Sequence, residues 1–327
     1  VPPDSDNDLG VTDEYLRMLV LHEIAHILHL DTIHGIPALV NLAGGKVWPP
    51  NIVQPRFVVE GLATWIETRH TDAGRLRSTQ FVATLRIAAL HGDLWQLDDL
   101  SNYSRRGPGG GAAYVYGAAF VDWLARRHGD KVWALVAHDY GGAVIPYSVQ
   151  RSIEAATGVD LGIDYQSFLD DVRADATAFA TAKRARGGPT ETRRLTRVGG
   201  GMRAPRFTPD GTVLLGVSPA DGSAGLYSLP GLPDRVERMT PLVRLAEGGD
   251  LEVLGDTVVV AQTEVTRGFW SYSDLWRVER TAAGPTLARV TREARVRSPS
   301  AVPGTRRVIC EQRSATDSAL VAIDVDT

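Results

Sequence analysis

Residues 19–30 read LVLHEIAHILHL, an HExxH run inside a strongly apolar, helix-patterned segment. Histidines four apart project from one face of an α-helix, so the imidazoles of His22 and His26 can converge on a single metal ion. Glu23 between them lies close enough to act on a water at that metal rather than on the metal itself. The plainer alternative is an ordinary helix carrying two unrelated histidines.

The next helical run weighs against that alternative. Residues 56–70 read RFVVEGLATWIETRH, and Glu60 sits between Phe57-Val58-Val59 and Leu62-Ala63. An unpaired carboxylate among such neighbours is expensive to bury, so a cation beside it is expected. Here the chain resembles the gluzincins, HExxH metallopeptidases whose third zinc ligand is a glutamate on the following helix. Glu60, Gly61, Ala63 and Trp65 match their E-G-x-A phrase with its nearby aromatic. The resemblance implies zinc held by His22, His26 and Glu60, with Glu23 as general base. Two neutral imidazoles and one carboxylate leave the ion positively charged with a fourth position open. Gly61 is expected to let the second helix pack closely on the first.

Other histidines compete for the third position. His29 shares the face of His26, and His34 follows the helix. The metzincin pattern HExxHxxGxxH requires glycine at position 29 and histidine at position 32. The chain has His29 and Thr32 and departs from it twice. His29 is read as a packing or supporting residue and His34 as loop. A third element begins after the glycine-rich turn at 107–111, where AAYVYGAAFVDWLARRH at 112–128 reads as an amphipathic helix. Gluzincins of the aminopeptidase type carry a tyrosine three residues before a glycine at such a point, donating to the oxyanion of the reaction. Tyr114 has that offset from Gly117. Tyr116 is the alternative, and both tyrosines could simply pack. The resemblance spans roughly residues 12–140.

Composition bounds the other possibilities. With 327 residues, 43% apolar and 23% charged, the chain is ordinary globular protein of about two domains. Its formal charge of −4, without a basic stripe interleaved with aromatics, gives no nucleic-acid signal. Cys310 is the single cysteine, so no intrachain disulfide can form, and its apolar surroundings suggest burial. No window approaches about 18 uninterrupted apolar residues, so no membrane span is expected. Val1 stands eleven residues ahead of the first helix. Thr12, Asp13 and Glu14 read as its N-cap and acidic first turn. Gluzincins place a sheet before the HExxH helix, so that sheet is expected to be missing here, along with any signal segment. A bacterial, extracytoplasmic (periplasmic or secreted) protein is the corresponding expectation.

Residues 1–183 therefore read as a mainly helical, gluzincin-type domain, followed by a charged, Gly-Gly-Pro-broken linker at 184–193. From 194 to 327 the period changes to short strands. RLT at 194–196, RMT at 238–240 and RVT at 289–291 recur at spacings of 44 and 51 residues. Each leads to an apolar run and a closing strand, as four-stranded propeller blades would. RFTPDGTVLLGV at 206–217 resembles the repeat of TolB-like β-propellers, with Pro209, Asp210 and Gly211 forming a hairpin turn. Three blades cannot close a ring, so the propeller is expected to be partial and truncated; a small β-sandwich is the competing fold.

The fold class expected is thus multidomain α plus β: a helical zinc-peptidase domain followed by about three propeller blades. The expected function is zinc-dependent hydrolysis of peptide or protein substrates, endo- or exo-acting, with the propeller available to a protein partner. A catalytically inactive peptidase-like scaffold, or a propeller-based binding protein, is the reading from another class.

Overall fold

The computed structural model describes residues 15–72, 74–100, 106–145, 149–232, 238–246, 249–314 and 317–326. The capping turn expected at 12–14 lies outside them. The protein is mixed α plus β and divides into two compact units, Pro2–Pro189 and Thr190–Thr327. Among the described residues no helix is long and apolar enough to cross a membrane.

The first unit is helical: α1 (Tyr15–Leu30), α2 (Gly35–Gly44), α3 (Arg56–His70), α4 (Thr79–His91), α5 (Leu97–Leu100), α6 (Ala112–His128), α7 (Val132–Gly141), α8 (Val149–Thr157) and α9 (Leu161–Ala185). Several ends carry the residues that helix ends require. The Ser78 hydroxyl accepts from the Gln80 amide at the start of α4, and Gly92 closes that helix in the left-handed region. Asp160 caps α9 by accepting from the Ile163 amide. Residues 41–55, NLAGGKVWPPNIVQP, read as loop, whereas the first four of them complete α2, a helix with a single polar side chain, Asn41, to mark its period.

The core that fixes the site lies where α3 meets α6. Phe57, Trp65, Tyr116, Phe120 and Leu124 are buried there, with Tyr165 and Phe168 of α9 completing the aromatic cluster. The crossing is made by two glycines. A methyl group on Gly61 would stand 2.6 Å from the Gly117 carbonyl carbon, and one on Gly117 would stand 2.5 Å from the Phe57 oxygen. The close approach that Gly61 permits is therefore with α6, not with the HExxH helix. Gly61→Ala is expected to lower stability by about 1–3 kcal/mol or more, since neither backbone can yield without tilting its helix; thermal melting measures it. On α1, Met18, His22, Ala25 and His29 are buried, while Leu16, Val20, Ile24, Ile27 and Leu28 remain exposed. The face that carries His22 and His29 is covered, and the apolar residues of the other faces are left exposed.

Among the described residues the second unit contains three antiparallel sheets of strands consecutive in sequence. The first is β1 (Gly200–Phe207), β2 (Val213–Pro219), β3 (Gly225–Leu229) and β4 (Thr240–Arg244). The second is β5 (Leu251–Leu254), β6 (Thr257–Thr266), β7 (Trp270–Thr281) and β8 (Gly284–Arg289). The third is β9 (Val296–Ala301), β10 (Arg307–Arg313) and β11 (Ser318–Asp324). Period-two alternation explains the continuous apolar run of β6. Val260 packs with Leu214 and Leu226 of the first sheet, whereas Val259 and Ala261 pack with Val296, Val308 and Cys310 of the third. Cys310 is buried, and burial pushes its thiol up to about 11.

Pro209, Asp210 and Gly211 form the turn between β1 and β2. Asp210 accepts from the Thr212 amide at 3.1 Å, and Gly211 has φ +83°. The recurring Arg-apolar-Thr phrase does not open each sheet, however. Thr240 begins β4, the last strand of the first sheet, and Arg289 ends β8, the last of the second. Asp274 on β7, only 2% exposed, is a hub the sequence pattern gives no hint of. Its carboxylate accepts from the Thr291 hydroxyl, the Glu293 and Ala294 amides and Arg289, tying β7 to the approach to β9.

Candidate metal centre

Helix α1 supplies His22 and His26 and α3 supplies Glu60, and the three meet. Their ligating atoms are the only His, Cys, Asp or Glu group of three or more gathered in this way among the described residues. His22 Nε2 and His26 Nε2 are 3.1 Å apart, and each lies 3.5 Å from Glu60 Oε2. Tetrahedral zinc, with bonds of about 2.0–2.1 Å, spaces its donors about 3.3 Å apart. The centre of the observed triangle lies about 2 Å from each corner, so these residues fit a zinc-sized cation. Two imidazole lone pairs and a carboxylate oxygen facing one point would repel one another unless a proton or a cation stood between them.

The charge state of Glu60 suits that role. Burial would raise its carboxyl, but hydrogen bonds from His22, His26 and the Tyr114 hydroxyl outweigh this and hold it far below the usual carboxylate range. Its other oxygen faces Arg56 Nη2 at 3.7 Å. Tyr114 of α6 thus joins the site through Glu60. Its ring stacks 6.4 Å from His22, and burial, then the Glu60 charge, raise its hydroxyl above the ordinary tyrosine value. Tyr116 faces the other way. It is fully buried against Trp95, whose amide lies 3.5 Å from its hydroxyl, so the structure brings Tyr114 and not Tyr116 to the triad.

Glu23 is exposed beside His22 and has no hydrogen-bond or ion-pair partner among the described residues. His29 is buried next to Gln54, and burial pushes its imidazole down to about 4, leaving it neutral. Gln54 in turn donates to Asn51, which ties α1 to α7 through the Thr32 and Ala137 carbonyls. His34 stacks on His138 with ring centroids 4.1 Å apart, away from the triad's own contacts.

Two residues of this neighbourhood escaped the sequence pattern. Glu67 lies on α3, seven residues or two turns beyond Glu60, and is fully buried. Its Oε2 is 2.9 Å from His22 Nδ1. Arg75, in the short turn after α3, grips the same carboxylate through Nε at 2.8 Å and Nη2 at 2.7 Å. The two-turn spacing was a usable signal for Glu67, whereas nothing in the sequence marks Arg75. By contrast His26 Nδ1 is buried without a hydrogen-bond partner.

These groups give the metal-free chain opposite pH dependences. Burial would raise Glu67, but Arg75 and His22 outweigh it and hold it below its ordinary 4.5. Its stabilisation is therefore present above about pH 4.5 and is lost as pH falls through the lowered value. His22 is lowered by burial but raised more by Glu60 and Glu67, ending above its ordinary 6.5. Its contribution is present below about pH 6.5 and is lost as pH rises through the raised value. The difference in melting temperature between the parent and Glu67→Gln is accordingly expected to shrink as pH is lowered below about 4.

No protein-family model matches the chain, and no curated protein matches it.

Proposed function

We propose that the helical unit is a zinc-dependent hydrolase of peptide bonds, of gluzincin type. The observation that carries this reading is the triangle of His22, His26 and Glu60 donors, with the Tyr114 hydroxyl on its edge and Glu23 exposed next to His22 on the same helix. His22 Nε2, His26 Nε2 and Glu60 Oε2 would hold the ion. When bound, zinc polarises a carbonyl and lowers the pKa of water from about 15.7 towards about 7.

The protein residues do the rest. Glu23, exposed and unencumbered, takes the proton of the attacking water and passes it to the leaving amine, so no strong external base is needed. Tyr114 turns its hydroxyl from Glu60 towards the developing oxyanion. Arg75 stands 4.8 Å from the centroid of the Tyr114 ring and restrains its plane, so that only the hydroxyl has to re-aim as charge develops. Tyr114→Phe removes one such donor and is expected to lower kcat by about 10²–10³-fold with little change in KM. Steady-state kinetics on a cleaved peptide measures it.

For the second unit, a partial β-propeller accounts for three meandering sheets in chain order with apolar layers between successive sheets. A two-layer sandwich would interleave strands from different repeats. Such a unit would recruit a protein substrate or partner. Elemental analysis followed by cleavage of a mixed peptide library tests the catalytic reading. About one zinc per chain with metal-dependent cleavage supports it; a zinc-loaded chain that cleaves nothing would favour an inactive scaffold.

A further inference from the structure

A cavity of about 350 Å³ opens between α4, α6, α9 and the short turn after α3, and none of the three candidate ligands lines it. Its walls are chiefly apolar, made by Leu76, Phe81, Leu85, Val115, Phe168 and Val172. Ala119 of α6 stands among these larger side chains and, with a single methyl group, leaves the space unfilled. An apolar cavity of about 150 Å³ already takes up benzene, so this one has room for a ring and a short chain. Sites for small molecules are commonly of this kind, apolar inside with a few polar groups to fix orientation.

The charged residues of the lining are Asp122, Asp171, Asp175, Arg86 and Arg126, so the acids exceed the arginines by one. Two of the acids are already matched. Arg86 grips Asp175 through Nε at 2.8 Å and Nη2 at 3.2 Å. Arg126 Nε lies 2.9 Å from Asp122, whose other oxygen accepts from Trp65 Nε1 at 3.1 Å. Asp171 is the exception. It accepts from the Trp123 indole N–H at 2.7 Å, a neutral donor, and no cation pairs with it among the described residues. Trp123 is only 6% exposed, so this hydrogen bond holds one carboxylate oxygen in place at the edge of the cavity. We propose that the cavity binds an apolar molecule bearing one cationic amine: its ring or chain enters among Phe81, Leu85 and Phe168, and its ammonium pairs with Asp171. An anionic ligand would meet a rim with an acid in excess, and a neutral one would gain from apolar contact alone. The assignment is independent of the zinc reading, since no ligand, base or oxyanion donor of that reading lines the cavity. The two places are nonetheless adjacent along the chain. Leu76 and Val115 of the wall directly follow Arg75 and Tyr114 of the candidate centre.

Phenylbutylamine, phenylbutanol and phenylbutanoate share one apolar part and differ in charge, and they serve as probes. Each is titrated at neutral pH into the full chain, labelled with ¹³C at the leucine and valine methyl groups. The amine is expected to shift the Leu76, Leu85, Val115 and Val172 signals saturably. It should bind about fivefold or more tighter than the alcohol, with the carboxylate weakest. Asp171→Asn keeps an acceptor for Trp123 and removes the charge. It should bring the amine down to the affinity of the alcohol and leave the alcohol unchanged. Ala119→Phe should fill the space and abolish binding of both; should it fail to fold, Asp171→Asn and the three probes decide. No saturable shift at millimolar amine overturns the proposal, as do equal affinities for the three probes or unchanged amine binding in Asp171→Asn. Shifts confined to exposed apolar residues of α1 and α2, such as Leu16, Val20 and Leu39, overturn it as well, because they mean adventitious adhesion. A chain that binds the amine but no zinc would sink the hydrolase reading and leave this site standing; zinc-dependent cleavage without amine binding would do the reverse.

Discussion

Glu23→Gln is expected to cut peptide hydrolysis by about 10²–10⁴-fold while zinc content stays at the parent level. The exchange keeps the size and shape of the side chain and removes only its capacity to take a proton. Glu23 is exposed and partnerless among the described residues, so the substitution breaks no contact and should shift stability by no more than about 0.5 kcal/mol. Its atoms take no part in the triangle of donors, which rests on His22, His26 and Glu60 alone. Parallel measurement of turnover and bound zinc separates the possibilities. Loss of the metal together with activity would make Glu23 a ligand, and full retention of activity would place the base elsewhere.

His26→Ala should reduce zinc from about one per chain to near none and abolish hydrolysis with it. The variant leaves two donors, His22 Nε2 and Glu60 Oε2, 3.5 Å apart, and opens the 3.1 Å edge of the triangle. His26 Nδ1 has no partner, and the two groups that its Nε2 faces, His22 and Glu60, still face each other at 3.5 Å, so the fold should survive. Elemental analysis after gel filtration, with far-ultraviolet circular dichroism as the control for helix content, reads the result. Stoichiometric zinc in a folded His26→Ala chain would rule out the assigned site.

The pairing of His22 and His26 was legible in the sequence because residues four apart share one face of a helix; Glu60, on a different helix, was marked by its apolar neighbours and by the resemblance of its EGLA phrase, since no helical period says which two helices meet. Tyr114 was legible only by its offset from Gly117; separating it from Tyr116 needed the packing of α6, since the two stand two residues apart on one helix and only one can face the core. The strand runs at 213–217, 256–262 and 307–313 could be read from their apolar character, and each falls in its own sheet. The role of the Arg-apolar-Thr phrase could not, because a phrase at the junction of two sheets has the same sequence whether it ends one or starts the next. Arg75 and Asp274 were invisible for a common reason. Each is a charged residue whose meaning comes from partners brought up by tertiary folding, up to 53 residues away for Arg75 and up to twenty for Asp274.

The crossing of α3 and α6 also has a bearing on how the centre can be altered. Glu60 precedes Gly61, and Tyr114 sits one turn before Gly117, so the carboxylate and the phenol flank a point where two backbones touch. That point behaves as a fulcrum with no cushion. Side chains elsewhere can absorb a disturbance by changing rotamer, but two bare backbones can only rock about each other. Graded bulk at position 61 or 117 would therefore act as a wedge, opening the gap between ligand and phenol in steps without touching either. The spacing between Glu60 and Tyr114 is set by two missing methyl groups.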